Sequence, residues 1–165
     1  MNKEIFILKL NAINIVERFK ELCSSFNDRK NSLSGNHHDT YKKYLEKYGY
    51  TIESDRRESF FRFNTKITDE YSLGMQFVLK DGIVETVLGL RVNDVVIKPS
   101  GRIDFMPMKM GFNFDKKIYK LPSYKSFEEL ESILNITFGI FEDLKKEIVE
   151  LSPPINLTRQ IKRDC

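Results

Sequence analysis

The chain changes its hydrophobic period twice along its length. Over residues 11–27, "NAINIVERFKELCSSFN", the positions Ile15, Phe19, Leu22 and Phe26 recur at helical spacing, and Ile13, Val16 and Cys23 widen the stripe. Apolar residues three and four apart share one side of a 3.6-residue period, so this segment predicts an amphipathic helix. Residues 28–36 are polar, contain Gly35 and read as a loop. The following "TYKKYLEKYGY" stacks Tyr41, Tyr44, Leu45 and Tyr48 along one side and stops at Gly49, a residue that reaches positive φ easily. Asn36 or Asp39 is the expected N-cap of this second helix, because its side-chain oxygen can accept from a first-turn amide.

From Glu58 onward the period becomes two. In "ESFFRFNTKI", Phe61, Phe63 and Ile67 face one way while Arg62, Asn64 and Lys66 face the other. In "YSLGMQFVLKDGIVETVLGLRVND", Asp81-Gly82 separates two alternating runs and predicts a two-residue type I′ hairpin turn. That turn sets a register. Lys80 faces Ile83, Leu79 opposes Val84, Phe77 opposes Thr86, Met75 opposes Leu88, Leu73 opposes Leu90 and Tyr71 opposes Val92, all but the first pair on one mostly apolar face. A slip of one residue would scramble that agreement between turn chemistry and alternation. The other face pairs Lys80 with Ile83, Val78 with Glu85, Gln76 with Val87, Gly74 with Gly89 and Ser72 with Arg91. Two opposed glycines leave a patch of sheet without side chains. Such a patch fits either a packed helix and a local twist, or a shallow docking site for a ligand or partner.

After Asn93-Asp94, "VVIK" reads as a short strand, Pro99-Ser100-Gly101 as a turn, and "RIDFM" as renewed alternation with Ile103 and Phe105 inward and Arg102 and Asp104 outward. Residues 107–125 carry aromatics and methionines without a period and read as a long connection with room for a short edge strand. In "SFEELESILNITFGIFEDLKKEIVELSPP", Ser126 and Glu129 form an S-x-x-E capping box. Phe127, Leu130, Leu134, Phe138, Phe141, Leu144, Ile148 and Leu151 then recur every three or four residues until Pro153-Pro154. At 1.5 Å per residue this helix is on the order of 37 Å long. The pattern predicts one α+β domain over residues 1–152: N-terminal helices, an antiparallel meander of four to five strands and a long C-terminal helix packed on one face. Residues 153–165 read as a basic, flexible tail.

Composition narrows the function classes. A 165-residue chain that is 41% hydrophobic can bury one good core. Its net charge of +3 is the difference of 27 basic and 24 acidic residues that interleave along most of the sequence, without the bias of a dedicated nucleic-acid binder, so no direct nucleic-acid binding is expected. Lys3, Glu4 and Lys9 interrupt the first apolar run, and no stretch approaches the roughly 18 to 20 apolar residues needed to span a bilayer. No membrane association and a cytoplasmic location are expected. Cys23 and Cys165 lie too far apart in sequence for a CxxC metal motif.

Ready-made chemistry is scarce. The sequence contains no GxSxG, HExxH, Walker or GxGxxG pattern. Its two histidines, His37 and His38, are adjacent in a helix's first turn, where neighbours point about 100° apart and cannot chelate one ion without further ligands. A capped, solvated helix start is the reading taken, and no metal or cofactor is expected. Glu85, Asp94 and Asp104 lie on or near the predicted sheet, where two carboxyls in different environments would suffice for acid-base work and a solvated surface accounts for them equally. Arg56, Arg57, Arg62, Arg91 and Arg102 are expected to form a basic patch on the exposed side of the sheet. Glu128, Glu129 and Glu131, with Glu142 and Asp143, form an acidic cluster on the long helix, its first three members complementing the helix dipole.

The order of these elements, with the closing "FEELESIL" and "FGIFEDLKKEI" helix, resembles the immunity proteins of bacterial polymorphic-toxin systems, including contact-dependent growth inhibition, over about residues 40–151. The resemblance implies a non-enzymatic protein that binds a cognate toxin domain, often a nuclease, and neutralises it by covering its active site or locking its shape. The mildly basic charge departs from the strongly acidic balance common among inhibitors of basic nucleases, which bears on the choice of toxin more than on the inhibitory role. The residues expected to contact such a partner are Arg62, Gly74, Gln76, Glu85, Gly89, Arg91, Arg102, Asp104, Glu128 and Glu131. An expectation from a different class is a small ligand-binding or enzymatic domain that uses a cavity between sheet and long helix.

Overall fold

The architecture comes from a computed structural model that describes residues 1–150. The expected tail, Leu151 and the Pro153-Pro154 stop lie outside the described residues. The helix that carries the first apolar stripe starts at Ile15 rather than near residue 11, and a separate helix that the period did not announce precedes it. α1 spans Lys3–Ala12, with Asn2 as its N-cap accepting from the Ile5 amide at 3.0 Å, and α2 spans Ile15–Ser25. Asn14 between them takes the left-handed conformation at φ 52°, which asparagine tolerates better than most residues, and the helix axis breaks there. α2 buries Ile15, Val16, Phe19, Leu22 and Cys23, as its spacing predicts.

α3 spans His38–Glu46 and is followed by Gly49 at φ 81°. Its N-cap is His37, without a side-chain bond, and neither expected cap serves. Asn36 instead donates to Ser59 Oγ at 2.8 Å, because that buried hydroxyl needs a partner, and Asp39 accepts from Arg56 at 2.6 Å. His38 is buried with its ring stacked on Phe61 at 4.6 Å, so the solvated helix start fails for this ring, while Asp39 beside it stays exposed.

Five antiparallel strands follow in meander order: β1 Glu53–Asp55, β2 Phe60–Lys66, β3 Tyr71–Lys80, β4 Ile83–Val92 and β5 Val95–Arg102. The β3–β4 register runs from Tyr71 opposite Val92 to Lys80 opposite Ile83 as the turn predicts, with Asp81 and Gly82 both at positive φ. Gly82 has a second reason to lack a side chain. A Cβ there would lie 2.6 Å from the Leu33 nitrogen and 2.8 Å from the Tyr124 carbonyl, where the two neighbouring loops clamp the hairpin tip. The strand count matches the expectation with different strands. β1 is three polar residues with no alternation to announce it, whereas the expected turn at residues 99–101 is the continuing body of β5. An edge strand tolerates Pro99, and the extra length is absorbed by a bulge between Leu88 and Leu90.

Beyond β5 the alternation ends. Ile103–Phe105 forms a 3₁₀ turn that leads into α4, Met106–Lys109. Successive side chains on such a turn point about 120° apart rather than to opposite sides. Asp104, expected outward, is therefore buried, and Phe105, expected inward, is exposed, while Ile103 is buried as expected. α5, Phe127–Val149, starts at Ser126, whose Oγ accepts from the Glu129 amide at 3.3 Å. Glu129 returns its bond to the Lys125 amide, one residue before the cap.

α5 runs for 23 residues, about 35 Å, with its apolar stripe against the inner face of the sheet. The Phe138 ring lies 3.8 Å from Tyr48, 5.4 Å from Phe63 and 5.6 Å from Phe77, and Phe141 meets Phe63 at 5.0 Å. Each such ring taken out of water contributes about 2 kcal/mol. Stacked rings fill the layer between sheet and helix where the ligand-binding expectation places its cavity.

Candidate binding face

The strand register gathers one side chain per strand into rows on the face turned away from α5. One row is Arg62, Gln76, Val87 and Arg102 across β2 to β5. The next is Asn64, Gly74 and Gly89, and beyond it come Lys66, Ser72, Arg91 and Val96. On the other side of the first row lie Asp55, Phe60, Val78 and Glu85. Buried and half-exposed residues alternate through β3 and β4, so this outer face stays open to solvent while the inner face is sealed. Seven of the ten expected contact residues share it: Arg62, Gly74, Gln76, Glu85, Gly89, Arg91 and Arg102. Glu128 and Glu131 do not, since both sit on α5 in the other layer, where Glu131 pairs with Lys47 at 2.6 Å.

Asp104 enters as a buried anchor beneath the face. It is 2% exposed, and Arg102 grips it with Nε to Oδ1 at 3.0 Å and Nη2 to Oδ2 at 3.1 Å, while Lys116 reaches Oδ2 at 2.8 Å. Burial alone pushes this carboxyl upward, but the hydrogen bonds and charges of Arg102 and Lys116 together outweigh it and hold it below its ordinary 3.8. Arg102 spends its remaining nitrogen, Nη1, on Glu85 at 2.8 Å. The exposed ring of Phe105 is used by the same cations, with the Lys116 ammonium 3.3 Å from its centroid. One guanidinium thus bridges Glu85 and Asp104. The third candidate for acid-base work, Asp94, sits in the β4–β5 turn at the far end of β4 from Glu85.

The expected five-arginine patch is smaller than the sequence suggests. Arg56 and Arg57 lie in the turn between β1 and β2, with Arg56 tied to Asp39, which leaves Arg62, Arg91 and Arg102 on the sheet. Arg62 Nε donates to Glu53 at 2.7 Å, and Arg91 makes no ion pair among the described residues. On α5, Glu129, Glu131, Glu142 and Asp143 are all paired with basic residues of this chain, so the acidic cluster is largely neutralised in place.

Two shallow clefts mark the face, and Arg62 and Gln76 line both. The larger, about 640 Å³, runs along β1 and β2 past Glu53, Asp55, Glu58 and Phe60. The smaller, about 270 Å³, lies over the opposed glycines. Among the described residues no helix lines that cleft. Gly74 is accounted for within the chain, because the Asn64 side chain lies over it and a Cβ would come within 2.1 Å of Asn64 Oδ1.

The histidines stand apart from this face. His37 Nε2 donates to the Ser34 carbonyl at 3.1 Å, and the ring stands edge-on to Tyr41 and Phe127. His38 Nε2 meets Ser54 Oγ at 3.2 Å and its Nδ1 is buried without a partner. Among the described residues no three His, Cys, Asp or Glu side chains are placed to hold a metal ion, and no helix is long and apolar enough to cross a membrane. Burial pushes the Cys23 thiol up to about 12, away from nucleophilic use.

Sequence reasoning missed Asn64, Lys116 and Ser100, whose hydroxyl accepts from the Leu90 amide at 3.0 Å inside the β5 bulge. Asn64 was within reach, since the register alone puts it beside Gly74, but Lys116 comes from an aperiodic connection that carries no such signal. Neither family models, nor curated proteins, nor solved structures yield a match to this chain.

Proposed function

We propose that this chain is a non-enzymatic binding protein that docks a partner protein domain on the outer face of its sheet, and that the partner is a bacterial toxin domain which it neutralises in the cytoplasm. The observation that carries the reading is the open face itself. It combines apolar Phe60, Val78 and Val87 with arginines, carboxylates and amides, a mixture typical of protein interfaces. The five strands make it about 20 Å across, and ten-residue strands about 30 Å long, the same order as the roughly 800 Å² each partner contributes to a standard complex. Rigid support comes from the ring-packed layer behind it and from Asp104, which immobilises Arg102. Glu85 and Asp104 are both engaged by Arg102 in that support.

The test is co-expression of the chain with the C-terminal domain encoded by the adjacent reading frame of its host. A one-to-one complex that survives gel filtration, together with rescue of growth, is expected. Failure of both binding and rescue would remove the toxin-neutralising reading.

A further inference from the structure

Gly89 lies in β4 at the bulge between Leu88 and Leu90, a usual place for a strand glycine, yet neither its backbone conformation nor its neighbours demand one. Its φ lies outside the left-handed region, and a Cβ built on it meets, apart from its two chain neighbours, no atom of the described residues within 4 Å. Glycine inside a strand weakens the strand and often marks a place where another molecule approaches the backbone. Gly74 opposite and Gly82 at the hairpin tip have neighbours that exclude a side chain, whereas Gly89 opens onto the smaller cleft. That cleft, about 270 Å³, has space for about nine waters, which is enough for one long side chain.

Its lining has one sign of charge. Among the described residues Arg62 and Arg91 are the only charged ones lining it and no carboxylate does, while the amides of Asn64 and Gln76 add neutral donors. Arg62 is already held through Nε by Glu53, so Arg91 is the guanidinium with its hydrogen-bonding capacity uncommitted to an acid among the described residues. A planar fork of N–H donors beside a bare backbone floor matches a carboxylate. Val87 and Val96 supply an apolar wall for the stem that would carry it.

We propose that this cleft receives an acidic side chain, Glu or Asp, projected by the protein that docks on the face, with Arg91 binding the carboxylate and Gly89 giving its stem room to reach the strand. The inference rests on the binding-protein reading and specifies the anchor within it. Such an anchor, buried near the middle of an interface, carries a large share of the affinity.

The test pans a displayed library of random 12-residue peptides on the intact chain, counter-selecting with Gly89→Leu. Enriched peptides are expected to carry Asp or Glu, and to bind both Gly89→Leu and Arg91→Glu roughly tenfold or more weakly than the parent chain. Unchanged thermal unfolding of both variants excludes loss of fold as the cause. Selected peptides without acidic enrichment, or peptides indifferent to both substitutions, would overturn the proposal. So would inorganic phosphate displacing the peptides at micromolar concentration, which would make the cleft a small-anion site. The same variants separate this inference from the reading it rests on. A toxin domain that binds and rescues equally well with Gly89→Leu and Arg91→Glu leaves that reading standing and removes the cleft. Acidic peptides that behave as expected, beside a toxin domain that neither binds nor rescues, leave the cleft standing and remove the toxin.

Discussion

The two faces of the sheet are built from the same three central strands and differ in almost everything else. On the inner face Phe61, Phe63, Leu73, Met75, Phe77, Leu79, Val84, Leu88 and Leu90 are at most 3% exposed, and rings from α5 interlock with them. On the outer face Phe60, Val78 and Val87 are interspersed with polar, small and charged residues, and the contacts there include ion pairs at the sheet's margins, such as Arg62 with Glu53 and Arg102 with Glu85. Burial of apolar rings dominates stability, while exposed ion pairs contribute little. The fold therefore depends on one face, and the chemistry of the other can be altered without unfolding the chain.

Substitutions can break that contrast. Phe138→Ala removes the ring shared by Tyr48, Phe63 and Phe77 and is expected to cost about 3–5 kcal/mol in urea unfolding; a cost below about 1 kcal/mol would mean the inner face is not the source of stability. Asp104→Ala leaves Arg102 and Lys116 facing a buried gap and should cost about 3 kcal/mol by the same measurement. It is the one substitution beneath the outer face expected to have a core-like effect.

A pH titration probes the inner layer more gently. Burial first, and Arg56 second, hold the His38 imidazole below its ordinary 6.5. The unfolded chain takes up that proton near 6.5 and the folded chain only at lower pH, so stability falls as pH drops below about 6.5 and levels off beneath the folded value. The depressed Asp104 adds its own loss only below 3.8, the ordinary carboxylate value. The urea midpoint should accordingly be lower at pH 5.5 than at pH 7.5 (values set by His38's ordinary 6.5), and His38→Phe, which keeps a ring against Phe61, should flatten the difference. An equal slope in parent and variant would assign it elsewhere. The smallest effect on stability is expected at Gly89→Leu and Arg91→Glu, within about 0.5 kcal/mol of the parent, although these two should change binding most.

Much of this was legible in the sequence wherever a period and a turn constrained each other. Asp81-Gly82 and the alternation of residues 71–92 determine both faces of the central hairpin, including the glycine pair. Legibility failed where periodicity stops. β1 is too short and polar to show alternation, and Asn14 interrupts the helix expected over residues 11–27 through its backbone conformation alone. Asp104 was assigned to the wrong side because a two-residue period was extended into a 3₁₀ turn. Its partner Lys116 arrives through a loop, and no local pattern connects the two.

The central claim is that the outer face is the surface that binds. Its most direct test is a map of backbone and side-chain NMR shifts in the labelled chain as the proposed partner, the domain encoded by the adjacent reading frame, is added. The account predicts perturbations clustered at Arg62, Gly74, Gln76, Gly89 and Arg91, with the exposed side of α5 at Ser132 and Asn135 unchanged. Shifts concentrated on α5 or α1, with the glycine cleft silent, would contradict it.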